Sequence, residues 1–277
     1  MKFERAIPAG VPEIEASTYG ARRFAERVCV VTGAASGIGA AVVARLAAEG
    51  ARIVAADIDL AGARAVVRAH VPRGHGVAIR LDVRSERSVA RLASATVRRF
   101  GAIDVLINNA GIEIQGDLVE TTPILWDEVM AVNLRGTYLV SRAFLPLLLA
   151  RAAETGEASI VNNSSLMGLV SSRRLAAYCA SKAAVVSLSR SMALDHARSG
   201  LRVNCVCPGI IHTPMLERRF AEWDDRATAY RETSARPPVG YIGHADDVAA
   251  AIAYLASPEA RFITGSALPI DGGVGAE

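Results

Sequence analysis

The chain is expected to fold as an α/β protein, a single doubly wound parallel sheet of seven strands with helices on both faces. Three observations lead there. Short β-branched runs without polar alternation recur along the chain, as strands buried on both faces do. An Ala- or Leu-rich stretch of helical length follows most of them, so strand and helix alternate. The 277 residues, 51% hydrophobic, contain no repeat, low-complexity segment or linker that would divide them. Residues 1–24, interrupted by Glu4, Pro8, Pro12, Glu13 and Glu15, are expected as an extension before a domain of residues 25–277.

Val28–Thr32 is the first expected strand and runs directly into Gly33-Ala34-Ala35-Ser36-Gly37-Ile38-Gly39. A helix is expected over Ala40–Glu49, ended by Gly50. Strand, glycine turn and helix form the context of a dinucleotide-binding loop. The glycines let the backbone approach a pyrophosphate, and the helix N-terminus supplies N–H groups and a positive dipole end. Arg52–Asp57 is a second strand, ending in an acid 18 residues past Gly39. That is where a carboxylate hydrogen-bonds adenosine ribose hydroxyls. It would repel a 2′-phosphate, and neither Ile58 nor Ala35-Ser36 offers a base to hold one. NAD is therefore expected over NADP.

Helix over Leu60–Ala69, strand over Gly76–Leu81, helix over Ser85–Phe100 with Ser85 as N-cap, and strand over Asp104–Ile107 follow. Thr122 at N-cap and Pro123 at N1 open a long helix to about Ala153, with a kink expected from Asn133 and Pro146. Strands at Ala158–Asn163, Arg202–Val206 and Ala267–Ile270, and helices at Ala176–Ser199 and Ala245–Ala256, complete the pattern. On the Ala176–Ser199 helix, Tyr178 and Lys182 stand at i and i+4 and share a face. A free phenol titrates near pH 10, at about 10. A neighbouring ammonium favours the phenolate and lowers that value, so the pair is a candidate acid–base unit.

Composition removes several function classes. The 31 basic and 28 acidic residues leave a net charge of +3 with the basic residues dispersed, which argues against nucleic-acid partners and a polybasic membrane patch. No run reaches the about 18 apolar residues of a membrane span. Cys29, Cys179, Cys205 and Cys207 contain no CxxC, and Cys205-x-Cys207 lacks a second ligand pair, so no metal site is expected. This cysteine usage fits a reducing, cytoplasmic setting.

The ordered motifs Thr32-Gly33-x-x-x-Gly37-Ile38-Gly39, Asn108-Asn109-Ala110-Gly111, Asn133, Ser165, Tyr178-x-x-x-Lys182 and Pro208-Gly209 resemble the classical short-chain dehydrogenase/reductase family, a Rossmann-fold family, over about Arg27–Gly273. The resemblance implies Tyr178 as catalytic acid–base and Lys182 as the group that lowers the phenol pKa and holds the nicotinamide ribose. It implies Ser165, rather than Ser164, as the hydrogen-bond donor to the substrate oxygen, and Asn133 as a kink residue holding a water in a proton relay. Around the cofactor it implies Gly33, Ser36, Gly37, Ile38 and Gly39 at the phosphates, Asp57 at the ribose, and Asp82 and Val83 at the adenine. Asn109, Ala110 and Gly111 would flank the adenosine side, and Pro208, Gly209, Ile211 and Thr213 the nicotinamide. It also implies pairing of the two long helices between subunits, giving a homodimer or homotetramer.

The implied activity is NAD-dependent interconversion of a secondary alcohol and a ketone. One alternative on the same fold is a 3-oxoacyl-thioester reductase, and a non-enzymatic alternative is a catalytically silent NAD-binding scaffold. The substrate loop falls at about residues 212–240. Leu216, Phe220, Trp223, Ala227 and Tyr230 recur there at helical spacing, opposite Arg218, Arg219, Glu222, Asp225 and Arg226. If that stripe closes over the substrate, the pocket is largely apolar, the substrate hydrophobic or cyclic, and Trp223→Ala raises KM. A surface helix packed on the domain is the equal alternative. Glu113 is a further candidate for the pocket, and His212 is read as a loop residue.

Overall fold

The computed structural model describes residues 22–221 and 223–276. Seven strands form one parallel sheet: β1 (Val28–Thr32), β2 (Arg52–Asp57), β3 (Gly76–Arg80), β4 (Val105–Asn108), β5 (Ala158–Asn163), β6 (Leu201–Pro208) and β9 (Ala267–Ile270). Their spatial order is β3-β2-β1-β4-β5-β6-β9. Chain order reverses between β1 and β4, and such a switch opens a crevice beyond the carboxyl ends of the strands. Every residue of β1, β4 and β6 is buried, which is why β1 and β4 show no polar alternation; in β6 the alternating Arg202 and Asn204 are buried with it.

One face of the sheet carries α1 (Gly37–Ala48), α2 (Leu60–His70) and α9 (Ala245–Ala256). The other carries α3 (Glu86–Phe100), α5 (Gly136–Thr155) and α6 (Ala176–His196). Polar side chains lock the second face in register. Asn108 donates to Ser141 at 2.9 Å and to Asn162 at 2.8 Å, and Asn162 donates to Ser189 at 2.8 Å. The buried Arg202 guanidinium donates to the carbonyls of Leu255 and Ser257, at 2.6 and 2.9 Å. It thereby satisfies the C-terminal end of α9, where a cation also meets the negative end of the helix dipole. Burial pushes its pKa down to about 10.

Several boundaries differ from expectation. The helix after the glycine turn begins at Gly37 rather than Ala40, because the Ser36 carbonyl already accepts from the Ala40 amide at 3.2 Å. The long helix is three pieces: α4 (Pro123–Met130), a π-helical turn (Ala131–Arg135) and α5. The expected kink is thus a π turn around Asn133. Pro146 causes no break, since α5 runs through it between the fully buried Phe144 and Leu148. A two-stranded pair, β7 (Ile211–His212) with β8 (Gly243–His244), had no expected counterpart. Of the expected extension, residues 1–21 lie outside the described residues. Phe24 is fully buried in the core, and Arg23 forms a two-point ion pair with Glu49 at 2.7 Å on both contacts, so packing reaches back past residue 25. Burial would raise the Glu49 carboxyl, but Arg23 and Arg45 outweigh it and hold it below its ordinary value.

The substrate segment also departs from a single helix. It forms α7 (Pro214–Phe220) and α8 (Arg226–Ser234), separated by a break at residues 221–225. Asp225 caps α8, accepting from the Ala227 amide at 2.9 Å, which forces the chain out of helix there.

Candidate active site

One cleft of about 530 Å³ opens at the switch point between β1 and β4. Its adenosine end is built from strand ends. Gly33 and Gly37 hold positive φ, at 65° and 53°. A Cβ at Gly39 would lie 2.0 Å from the Gly33 carbonyl oxygen, so that position admits only glycine and fixes how α1 meets β1. Ser36 is the N-cap of α1 but makes no side-chain capping bond, and the first turn carries no acid. The first-turn amides therefore remain donors for an anion, as a pyrophosphate requires.

Asp57, at the end of β2, accepts from the Ala35 amide at 2.9 Å and from the Asp59 amide at 2.8 Å. Its carboxylate is thus fixed against the glycine turn. Asn109 donates to the carbonyls of Thr32 and Gly33, at 3.1 and 3.0 Å, joining the end of β4 to the same turn. Asp82 and Val83 line the cleft beside Arg84, which sequence reading missed. Arg84 contacts Asp82 through Nε at 3.0 Å and Nη2 at 2.9 Å, and this bond holds the Asp82 carboxyl below its ordinary value.

At the opposite end, Pro208 and Gly209 leave β6 under tight packing: a Cβ at Gly209 would lie 2.7 Å from the Asp271 side chain. Ile211 and Thr213 line the cleft, and Thr213 accepts from the Leu216 amide at 3.5 Å to start α7. Thr213 also packs against Gly37, so the first turn of α7 meets the glycine turn.

Ser165, Tyr178 and Lys182 meet here, each at least nine-tenths buried. Ser165 stands beside the Tyr178 phenol and pulls its pKa downward, while its hydroxyl accepts from the Met167 amide at 3.1 Å. Ser164 is excluded from that role by its own bond to the Lys182 carbonyl at 2.7 Å. Lys182 donates to the Asn163 carbonyl at 2.9 Å, with Nζ 5.6 Å from the Tyr178 ring centroid. Burial brings its pKa down to about 8.

The expected lowering of the Tyr178 pKa is reversed. Burial, then the Glu113 charge, raise the phenol above its ordinary value, and the neighbouring Ser165 pulls only partly the other way. Magnitudes explain the sign. An ammonium about 6 Å from a phenolate contributes about 3 kcal/mol at an effective dielectric near 20. Full burial shifts a group by up to about 3–5 units, roughly 4–7 kcal/mol. Burial thus favours the neutral phenol of Tyr178.

Asn133 stands behind the cleft rather than on its wall. Its amide is fully used: it accepts from the Ile112 amide at 2.8 Å and donates to the Ile112 carbonyl at 2.9 Å and to Ser181 at 3.0 Å. It ties the segment after β4 to α6. A water relay would have to use its main-chain carbonyl, which already accepts from Thr137 at 2.8 Å.

Trp223 is not brought to the site. It is half-exposed and does not line the cleft, because the break after α7 carries it outward. Of the expected stripe, Leu216 and Phe220 pack with Ala229 and Ile242 in a small cluster, Tyr230 stands edge-on to Phe220 with centroids 6.1 Å apart, and Ala227 is exposed. Glu222 lies outside the described residues. His212 sits outside the cleft in an exposed contact with Glu217 at 2.6 Å. The pocket is also not uniformly apolar at this end, since Glu113, Arg218, Arg219 and Arg236 line it beside Met167, Leu175 and Met215. Glu113 followed from its distance to Gly111; no sequence signal singled out the arginines. Among the described residues no cluster of three or more acids, histidines or cysteines could hold a metal ion, and no helix is long and apolar enough to cross a membrane.

The sequence profile described as Enoyl-(Acyl carrier protein) reductase matches residues 33–275. The chain is 41% identical over 254 residues to the 2-(R)-hydroxypropyl-CoM dehydrogenase of Xanthobacter autotrophicus, covering 89% of this chain and 97% of the relative. It belongs to the classical short-chain dehydrogenase/reductase family. This family member is also 43% identical over 252 residues to the cis-4-hydroxycyclohexanecarboxylate dehydrogenase of Sinomonas cyclohexanicum, covering 90% and 97% of the two chains. Its fold superposes on the 3-ketoacyl-(acyl-carrier-protein) reductase of Brucella melitensis, solved with NADH, with a TM-score of 0.83 at 33% identity over 91% of this chain and 99% of the other. Like its relatives, this short-chain dehydrogenase/reductase is an oxidoreductase of secondary alcohols or ketones that uses a nicotinamide cofactor.

Proposed function

We propose that this chain interconverts a cyclic secondary alcohol and its ketone with NAD(H), using Tyr178 as the acid–base. The observation that carries the proposal is a single cleft with Asp57 fixed at one end and the buried side chains of Ser165, Tyr178 and Lys182 together at the other. The first-turn amides of α1 would take the pyrophosphate, Asp57 the ribose hydroxyls, and Asp82 and Val83 the adenine. Asn109, Ala110 and Gly111 would flank the adenosine, and Pro208, Gly209, Ile211 and Thr213 the nicotinamide. When bound, the cofactor supplies or accepts the hydride. In the reductive direction the Tyr178 phenol donates its proton to the carbonyl oxygen while Ser165 donates a hydrogen bond to it. The Lys182 ammonium then stands near the phenolate left behind. Asn133 acts as a positioning residue through Ile112 and Ser181.

Preference for NAD follows from charge. A 2′-phosphate would meet the Asp57 carboxylate, and Arg80, its register partner on β3, does not line the cleft. A cyclic substrate is supported by the Sinomonas relative, whose name carries a hydroxycyclohexane ring. The exposed Ile124, Tyr138 and Leu194, on α4, α5 and α6, support a homodimer or homotetramer, and the four free thiols support a reducing cytoplasm. The test is purified protein with cyclic alcohols and ketones, NAD and NADP in parallel, read as nicotinamide absorbance. Turnover with NAD at least about tenfold more efficient than with NADP is expected. Preference for NADP would overturn the reading of Asp57.

Reduction of a 3-oxoacyl thioester is the second reading, favoured by the likeness to the Brucella reductase. Asp57 does not separate the two, because that protein is complexed with NADH. A 3-oxoacyl thioester in the same panel does, through the ratio of its kcat/KM to that of a cyclic ketone.

A further inference from the structure

We propose that Arg219 is an anion receptor in the substrate cleft, so that the preferred alcohol carries a carboxylate. This deepens, and rests on, the reading of the cleft as a secondary-alcohol site. Among the described residues the substrate segment 214–238 lines the cleft with three arginines, Arg218, Arg219 and Arg236, and with no acid. Neither Arg218 nor Arg236 has an ion-pair partner among the described residues. Glu113, from the segment after β4, is the carboxylate that faces them, through one contact of 3.5 Å to Arg219 Nη1.

That contact is loose. Charge-assisted N–H···O bonds run about 2.7–2.9 Å, and arginine prefers to engage a carboxylate with two parallel bonds. The same chain makes such a pair elsewhere, Arg23 with Glu49, at 2.7 Å on both contacts. Arg219 therefore keeps most of its fork of donors available, on a side chain 39% exposed, while Glu113 is 10% exposed. Both charges reach the reacting end of the cleft, since both act on the Tyr178 phenol.

Magnitudes favour a second ligand beside Glu113. The single long contact to Glu113 leaves most of the five guanidinium N–H donors of Arg219 open. A hydrogen bond to a charged group in a closing site contributes about 1.5–3 kcal/mol, and a carboxylate offers Arg219 two. An incoming carboxylate thus takes donors that Glu113 leaves unused, and the nearly buried Glu113 stays in place. Glu113 serves as the resident counter-ion that keeps the guanidinium aimed into the cleft.

The test measures binding separately from turnover. Cyclohexanecarboxylate and cyclohexanecarboxamide are titrated by calorimetry into protein saturated with NADH, for wild type, Arg219→Gln, Arg219→Lys and Glu113→Gln. The carboxylate should bind about tenfold more tightly than the amide in wild type. Arg219→Gln should remove that difference, Arg219→Lys should keep part of it, and Glu113→Gln should enlarge it. Affinity for NADH should be unchanged throughout, which also reports that each variant is folded. Equal affinity for acid and amide in wild type, or a preference that survives Arg219→Gln, would overturn the proposal. A merely structural ion pair would make Glu113→Gln and Arg219→Gln weaken both ligands alike, and that result also overturns it. Turnover of cyclohexanol without acid preference leaves the oxidoreductase reading standing and removes this one. Acid preference in binding with no turnover of any alcohol does the reverse.

Discussion

At the adenosine end of the cleft, the walls are strand ends and a glycine turn; at the substrate end, they are two short helices and loops. The adenosine end is held by main-chain geometry and by side chains whose partners are backbone atoms of the same turn. Asp57 is bonded to the Ala35 amide, and Asn109 to the Thr32 and Gly33 carbonyls. The substrate end is held by side-chain contacts between charged groups: Arg219 with Glu113, and Glu217 with Arg226. Backbone-anchored geometry tolerates few substitutions, and charge pairs at a half-exposed surface tolerate many. A cofactor shared by many reactions and a substrate peculiar to one call for that division.

The comparison breaks first at Gly39. Gly39→Ala places a methyl 2.0 Å from the Gly33 carbonyl oxygen, so the glycine turn must move. Loss of measurable NADH binding, by fluorescence titration, is the expected outcome; retention of wild-type affinity would show the turn to be softer than its geometry. Asp57→Ser removes the fixed carboxylate. It should shift the NADP/NAD ratio of kcat/KM towards NADP by about tenfold or more while leaving the melting temperature nearly unchanged.

A pH profile probes the seam between the two ends. The Lys182 ammonium is present below about pH 8 and is lost above it. Reductive kcat/KM should therefore fall as pH rises through that value. Lys182→Arg keeps its charge and should move the falling limb to higher pH. The smallest effect is expected at Trp223, which is half-exposed and outside the cleft. Trp223→Ala should change KM by less than about twofold; a larger rise would mean that the segment closes over the substrate during turnover.

Most of the fold was legible because its signals are local. β1, β2, β5, α9 and β9 match the sequence reading to the residue, since buried parallel strands and capped helices are written in short runs. Much of the cleft lining was legible for the same reason: glycine positions and the ends of strands fix it. What was not legible depends on contacts between distant segments. The break after α7 follows from the Asp225 cap and from Leu216, Phe220, Ala229 and Ile242 packing together, which helical spacing alone does not reveal. The upward shift of the Tyr178 phenol needed its burial and the position of Glu113, neither encoded in the spacing to Lys182. Asn133 was expected to hold a water in a proton relay; that its side-chain amide bonds Ile112 and Ser181 and joins three separate segments was not encoded in any local pattern.

The central claim is that Tyr178 transfers the proton at a site whose cofactor half is independent of it. Tyr178→Phe tests this in one preparation, with NADH affinity and single-turnover ketone reduction measured side by side. Reduction should fall by about 10³-fold or more, as loss of a positioned general acid does, while the NADH Kd stays within about threefold of wild type. Reduction within tenfold of wild type would contradict the account, because the proton would then come from another group.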